Sequence, residues 1–199
     1  MASLCNLNEL FLKHLNLETP GQLPSSLLRL YFESFSIRRA ELLPSCLRLR
    51  NLSTLELIDG EVEDIPLHGL PHLEKLLVSR CKLLQRLFIP SELRKLRRAS
   101  VFSCPELVEI QVGHLKSLES LWIDKCESLT RLSGLSYLKN LENFTILCCN
   151  DQTVVEEFHE LQYSDIIEGT SLRKRRIFLL CSREEIPIDT LGKVRHLLH

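Results

Sequence analysis

A cysteine recurs at nearly constant intervals through the middle of this 199-residue chain. The four members of the set are separated by 23, 22 and 23 residues, and each ends a similar nine-residue phrase. The phrases are LEKLLVSRC (73–81), LRRASVFSC (96–104), LESLWIDKC (118–126) and LENFTILCC (141–149). A phrase that returns at a fixed period indicates stacked, equivalent structural units, because one such unit cannot bury its own apolar face.

The repeated phrase matches the leucine-rich repeat template, L-x-x-L-x-L-x-x-N/C, which recurs about every 20 to 29 residues. Side chains alternate along a strand, so the fourth and sixth positions are predicted to point into the core and the fifth to face outward. Extending the register backward gives seven repeats, or rungs, that start 20 to 25 residues apart. The predicted buried triplets are Leu7/Leu10/Leu12, Leu27/Leu30/Phe32, Leu52/Leu55/Leu57, Leu73/Leu76/Val78, Leu96/Ala99/Val101, Leu118/Leu121/Ile123 and Leu141/Phe144/Ile146.

These rungs predict a fold of the α/β class. The expected architecture is a leucine-rich repeat horseshoe, a right-handed solenoid with a parallel concave sheet and an irregular or short-helical convex side. Prolines in the segments between the strands suit such a convex side, and they disfavour the alternative of leucine-rich helices. Residues 1–150 are assigned to about seven rungs. Residues 151–199 are assigned to a divergent terminal repeat, with a degenerate strand within 171–182, and a C-terminal helix or broken repeat.

The ninth position of each rung must be small and must tolerate burial beside a turning backbone, as cysteine does. Four of the eight cysteines occupy this one column, so we expect reduced thiols and not a disulfide scaffold. The first three rungs depart from the pattern, with Leu15, Phe35 and Gly60 at this position. Reduced thiols and a start without a basic signal-peptide region predict a cytoplasmic or nuclear location.

Composition argues against several classes of function. A net charge of −1 and the lack of a run of about 18 apolar residues predict neither a nucleic-acid partner nor a membrane span. We expect no metal site, because Cys148 and Cys149 are adjacent and His196 and His199 have no cysteine pair at zinc-like spacing. The basic run at 173–176 is interpreted as a solvated face, the alternative being a nuclear-import or anion-binding patch. No activated nucleophile or phosphate-binding glycine loop is recognisable, so we predict no enzyme activity and no cofactor.

The outward-facing fifth and seventh positions of the strands form two columns on the predicted concave sheet. The single tryptophan, Trp122, is expected diagonally beside Phe102, with Leu77 two rungs away and Leu147 one rung on. Clustered exposed aromatic residues are typical of a protein-binding hot spot. The alternative is that they pack on one another or against a neighbouring domain. The predicted partner-binding residues of the concave face are Trp122, Phe102, Leu77, Leu147, Asp124, Lys125 and Tyr31.

Two longer phrases, LPSSLLRLYFESFSI (23–37) and LESLWIDKCESLTRLSGLSYLKNLE (118–142), resemble a known family. They are similar to the leucine-rich repeat region of plant intracellular disease resistance proteins that carry a Toll/interleukin-receptor-like domain and a nucleotide-binding domain ahead of the repeats. The resemblance covers roughly residues 4–150. It implies recognition of a pathogen effector or a guarded host protein. It also implies that the repeats contact other domains of a longer receptor and so hold that receptor inactive.

Two other classes stay open. One is the substrate-recruiting repeat domain of an F-box ubiquitin ligase, and the other is a free-standing intracellular repeat scaffold in signalling. The repeats begin within seven residues of Met1 and leave no room for a polar cap. We therefore expect a part of a longer receptor or a truncated gene product, with an N-terminus that frays.

Overall fold

The computed structural model describes residues 6–14, 23–36, 49–147 and 149, together with the backbone of residues 176–180. Within these ranges the template leucines form short strands of three to eight residues, joined by turns. Among the described residues, the only helix is one turn of 3-10 helix, Leu135–Tyr137. The strands are β1 (Glu9–Lys13), β2 (Arg29–Ser36), β3 (Thr54–Glu61), β4 (Lys75–Ser79), β5 (Arg86–Ile89), β6 (Arg98–Phe102), β7 (Glu109–Val112), β8 (Ser120–Asp124), β9 (Arg131–Ser133), β10 (Asn143–Leu147) and β11 (Arg176–Leu180).

One strand from each rung joins an eight-stranded parallel sheet in the order β1-β2-β3-β4-β6-β8-β10-β11, which we call the concave sheet. Residues at equivalent template positions are direct partners across it. Leu76 of β4, for example, aligns with Ala99 of β6, and Ala99 aligns with Leu121 of β8. The prediction of a leucine-rich repeat solenoid with a parallel sheet is confirmed.

The inward triplets of the rungs make one continuous core. All members of the second to seventh triplets are buried, most at 0% exposure. The first triplet, Leu7/Leu10/Leu12, packs against that core but is only half-buried. Because a fully buried leucine contributes about 1.5–3 kcal/mol, the stacked rungs supply most of the stability that a solenoid needs.

The convex side of the fourth to sixth rungs carries a second parallel sheet in the order β5-β7-β9, which we call the convex sheet. The sequence predicts irregular or short-helical structure here. Instead, the apolar residues switch to alternation after the cysteine, so that Leu87 and Ile89 are buried while Phe88 between them is 42% exposed. Alternation of this kind favours an extended strand over a helical turn.

The last described strand, β11, lies within the segment where the sequence predicts a degenerate strand. Its backbone pairs in parallel with β10, in a register that aligns residue 144 with residue 177. The concave sheet is therefore one strand longer than the seven template rungs. Cys148 and the predicted C-terminal helix or broken repeat lie outside the described residues.

Each strand of the concave sheet from β1 to β8 is followed or interrupted by one residue with a left-handed backbone. At four of these residues the N–H donates to the seventh-position carbonyl of the next rung: His14 to Glu33 at 3.0 Å, Arg80 to Phe102 at 2.9 Å, Ser103 to Asp124 at 2.8 Å and Lys125 to Leu147 at 2.9 Å. The side chains that follow Ser34, Arg80, Ser103 and Lys125 are buried in the core. The residues have φ between 53° and 55°, and they are His14, Ser34, Asp59, Arg80, Ser103 and Lys125.

The cysteine column follows directly after those turns. Each thiol donates to the backbone carbonyl two residues before it, at 3.7 Å for Cys81, 3.4 Å for Cys104, 3.6 Å for Cys126 and 3.3 Å for Cys149. All four are buried free thiols. Hydrogen bonding to Cys104, together with burial, raises the pKa of the Cys81 thiol, and hydrogen bonding to Cys104 and Cys149 with burial does the same for Cys126.

Candidate functional site

Trp122 faces outward from β8, the sixth of the eight strands of the concave sheet. It lies between Leu121 and Ile123, which are both fully buried, and strand alternation therefore directs its ring to the opposite face. Its register partners are small: Ser100 on β6 and Thr145 on β10. Because neither neighbour covers the indole, Trp122 keeps 44% of its surface exposed.

Phe102 contacts Trp122 diagonally, as the columns predict. The two ring centroids are 5.6 Å apart with an angle of 72° between the ring planes, an edge-to-face arrangement. Such a pair contributes about 0.5–1.5 kcal/mol beyond its area burial, so it holds both rings in one orientation. The pair therefore presents a pre-organised apolar surface to solvent.

Leu77 and Leu147 extend this surface on either side of the pair. Leu77 on β4 aligns with Ser100, and Leu147 on β10 aligns with Asp124. Both leucines are half-buried. We call Leu77, Phe102, Trp122 and Leu147 the Trp122 patch. It spans four neighbouring strands, about 14 Å across the sheet.

Two charged residues border the patch. Asp124 ends β8 and is half-buried, and Lys125 follows it in a left-handed conformation with an exposed side chain. Neither forms an ion pair with another of the described residues. An apolar centre with charges of both signs at its edge is the usual anatomy of a protein-binding surface.

Tyr31 lies apart from the patch, at the N-terminal end of the sheet. It stacks on Phe11 of β1, with ring centroids 4.2 Å apart and planes within 6°. Four strand steps, about 19 Å, separate it from Trp122, and an ion pair of 2.7 Å between Lys75 and Glu56 stands in between. Burial and a hydrogen bond with Glu9 raise the pKa of Tyr31. The predicted site residues thus form two groups and not one surface.

The convex face carries a cleft that sequence reasoning missed. Its volume is about 450 Å³, and its walls include Phe88, Gln111 and the left-handed Gly134. His114 and Tyr137 also line it, and their rings stack on each other with centroids 3.7 Å apart. A signal for this cleft was present, because His114 and Tyr137 are separated by the repeat spacing of 23 residues.

Comparison with known proteins leaves the chain without a family assignment. No protein-family model matches the sequence, and a search of curated proteins finds no match. Among the described residues, no helix is long and apolar enough to cross a membrane. Within the same residues, no group of three or more histidine, cysteine, aspartate or glutamate side chains is arranged to hold a metal ion.

Proposed function

We propose that this chain is a protein-interaction module of a plant immune receptor, which binds its partner through the Trp122 patch. The partner is a pathogen effector or a guarded host protein. The module also contributes to autoinhibition by contacting other domains of a longer receptor, in the cytoplasm or the nucleus. It acts by binding and not by catalysis.

The exposed Trp122–Phe102 pair is the observation that supports binding. Both rings sit on a continuous sheet whose core is complete beneath them, so their outward orientation adds nothing to the burial of the inward triplets. Apolar area left in water at the centre of a rigid surface is recovered when a partner covers it. Asp124 and Lys125 at the border supply charges that set the orientation of the partner.

The immune role is supported by the resemblance of residues 23–37 and 118–142 to the repeat region of plant disease resistance proteins. The second phrase contains Trp122, Asp124 and Lys125, so the resemblance and the candidate surface coincide in the sequence. In repeat modules of this architecture, the solenoid supports a long binding face whose outward residues suit the partner.

The binding surface is tested by replacing Trp122 with alanine. The chain, fused to a proximity-labelling enzyme, is expressed in leaf tissue, and labelled proteins are purified and titrated against the chain by calorimetry. Trp122→Ala is expected to raise Kd by about 30-fold or more, because truncating a central aromatic hot spot costs about 2 kcal/mol. The melting temperature is expected to change by no more than about 4 °C, since the lost ring contacts are at the surface.

Phe88→Ala is the matched control, because it removes a ring of similar exposure, 42% against 44%, from the convex sheet. We expect it to leave Kd within about twofold of the original chain. Equal loss in both variants would contradict binding through the Trp122 patch. If binding depends on Trp122 but the partner is neither an effector nor a host protein that effectors attack, the binding surface is supported and the immune role is contradicted.

A further inference from the structure

The strand β1 forms an uncovered end of the core in the part of the chain that the structure describes. Among the described residues, no strand pairs with its outer side. Its inward residues Leu10 and Leu12 are half-buried, whereas their register partners Leu30 and Phe32 on β2 are at 0% and 1% exposure. Phe11 between them is 60% exposed, the highest exposure among the large apolar residues described. Apolar surface and an unpaired strand edge therefore coincide.

The backbone of β1 also has groups that can accept another strand. On its inner side, the carbonyl of Asn8 accepts the Arg29 N–H at 2.9 Å, and the His14 N–H donates to β2 at 3.0 Å. Successive residues of a strand direct their backbone groups to alternate sides. The groups that point away from β2 are thus those of Glu9, Phe11 and Lys13.

The side chains of these three residues are self-complementary when the strand is reversed. In an antiparallel pair centred on Phe11, Glu9 of one copy lies opposite Lys13 of the other, and Lys13 lies opposite Glu9. The inward leucines 10 and 12 then lie opposite each other as well. In the register centred on Leu10, by contrast, Glu9 would face a phenylalanine ring and Lys13 would face Leu7.

We propose that β1 pairs antiparallel with β1 of a second copy of this chain, about a two-fold axis at Phe11. The pair forms about six hydrogen bonds from the outward backbone groups of Glu9, Phe11 and Lys13. It covers the open end of the core and places the two Phe11 rings side by side. The interface is isologous, so it closes on itself and gives a dimer, not a filament.

Existing ion pairs support this register. Lys13 Nζ lies 2.5 Å from Glu33 Oε2, and Arg29 lies 3.8 Å from Glu9 Oε2. In the dimer, Lys13 of one copy also faces Glu9 of the other. The Lys13–Glu33 pair of one copy is thereby joined to the Glu9–Arg29 pair of the other, and because this happens twice, the dimer contains two networks of four residues. Networks of this kind stabilise more than isolated surface pairs do. The dimer also leaves the Trp122 patches free, about 50 Å apart along the joined sheets.

The register is tested by charge reversal in the 199-residue chain. Lys13→Glu places two glutamates opposite each other twice per dimer, and Glu9→Lys places two lysines opposite each other twice. Each variant alone is expected to raise the dimer Kd by about tenfold or more in sedimentation equilibrium. An equimolar mixture of the two is expected to form a heterodimer, because every opposed pair is then glutamate with lysine.

The mixture is the decisive measurement. Each variant residue also meets a like charge on β2 of its own copy, but this repulsion is the same in the monomer and in the dimer. Only the pairing between two copies can therefore explain dimer formation that returns when the two variants are mixed. Phe11→Asp provides a second variant, expected to abolish the dimer by opposing two carboxylates at the axis. Phe88→Asp on the convex sheet is its control and should leave the dimer unchanged. Trp122→Ala should also leave it unchanged, which separates this proposal from the proposed function.

Three results would overturn the proposal. The first is a chain that is monomeric up to millimolar concentration. The second is a dimer that survives in both charge variants, which would place the interface elsewhere. The third is concentration-independent protection of the Phe11 amide from hydrogen exchange, which would mean that another segment of the same chain covers β1. Protection of that amide that rises with concentration, together with heterodimer formation, supports the pairing.

Discussion

Phe35 and Gly60 occupy the same template position in adjacent rungs, and they are complementary in size. The Phe35 ring is 1% exposed and lies directly over Gly60, where an added Cβ would come within 2.5 Å of Phe35 Cζ. The backbone register aligns the two residues. Neither residue matches the cysteine or asparagine of the template. The large Phe35 and the small Gly60 together fill the volume that two cysteines fill in later rungs.

Gly60→Ala is expected to lower the free energy of unfolding by about 1–3 kcal/mol, since the buried ring has no free space into which it can move. In a Phe35→Leu background, the same change is expected to cost much less, because the smaller side chain leaves room for the new methyl group. Urea unfolding of the four chains measures both costs. An equal cost of Gly60→Ala in the two backgrounds would show that the ring is not the obstacle.

The buried thiols predict how stability depends on pH. The hydrogen bonds with neighbouring cysteines and burial raise the pKa of Cys81 and Cys126 above the ordinary thiol value of 9.0. The folded chain therefore holds protons that the unfolded chain releases above about pH 9. The stability that Cys81 and Cys126 contribute is fully present below that pH and is lost as the pH rises, by up to about 1.4 kcal/mol per pH unit for each of the two thiols.

Urea unfolding between pH 7 and 10 measures this loss. Cys81→Ala is expected to be less stable at pH 7, because a small cavity replaces the sulfur, but to have a shallower decline above pH 9. Ser103, one residue before the column and outside the core, offers a control: Ser103→Ala should keep the original slope. A slope that Cys81→Ala leaves unchanged would show that other groups cause the decline.

At the scale of single strands, the concave sheet could be predicted because only one register buries its leucines. A slip of one residue in β8 would bury Trp122 and expose Leu121 and Ile123, which costs several kcal/mol. The convex sheet could not be predicted in the same way. In CKLLQRLFI the apolar spacing is three from Cys81 to Leu87 and then becomes two, so a short helix and a strand are both compatible with the local pattern.

The candidate site was predictable only in part, for a related reason. The outward orientation of Trp122 and its contact with Phe102 follow from strand alternation and from rung spacing alone. The separation of Tyr31 from them also follows from the strand order, but its stacking on Phe11 depends on ring orientations that the pattern does not contain. The His114–Tyr137 stack joins a loop residue of one rung to the 3-10 turn of the next, and strand periodicity fixes neither side-chain direction.

At the scale of the whole molecule, every strand pair that the structure describes joins neighbouring rungs. Among the described strands, β8 pairs with β6 and β10, and β1 pairs with β2 alone. Stability is then approximately a sum over rungs and over the interfaces between neighbours, as in other solenoids. A defect in a central rung breaks two interfaces, whereas a defect in β1 breaks one, and that one already leaves Leu10 half-exposed.

Leu121→Ala and Leu10→Ala test this nearest-neighbour behaviour, because each removes the same side chain from equivalent positions of β8 and β1. Leu121→Ala is expected to cost about 2–5 kcal/mol and to lower the unfolding midpoint seen by both circular dichroism and Trp122 fluorescence. Leu10→Ala is expected to fray β1 and to reduce the circular dichroism signal early, while the Trp122 midpoint stays within about 1 °C of the original. If the Leu10 change shifts that midpoint as far as the Leu121 change does, the rungs unfold as one cooperative block, and the open end at β1 is coupled to the whole core.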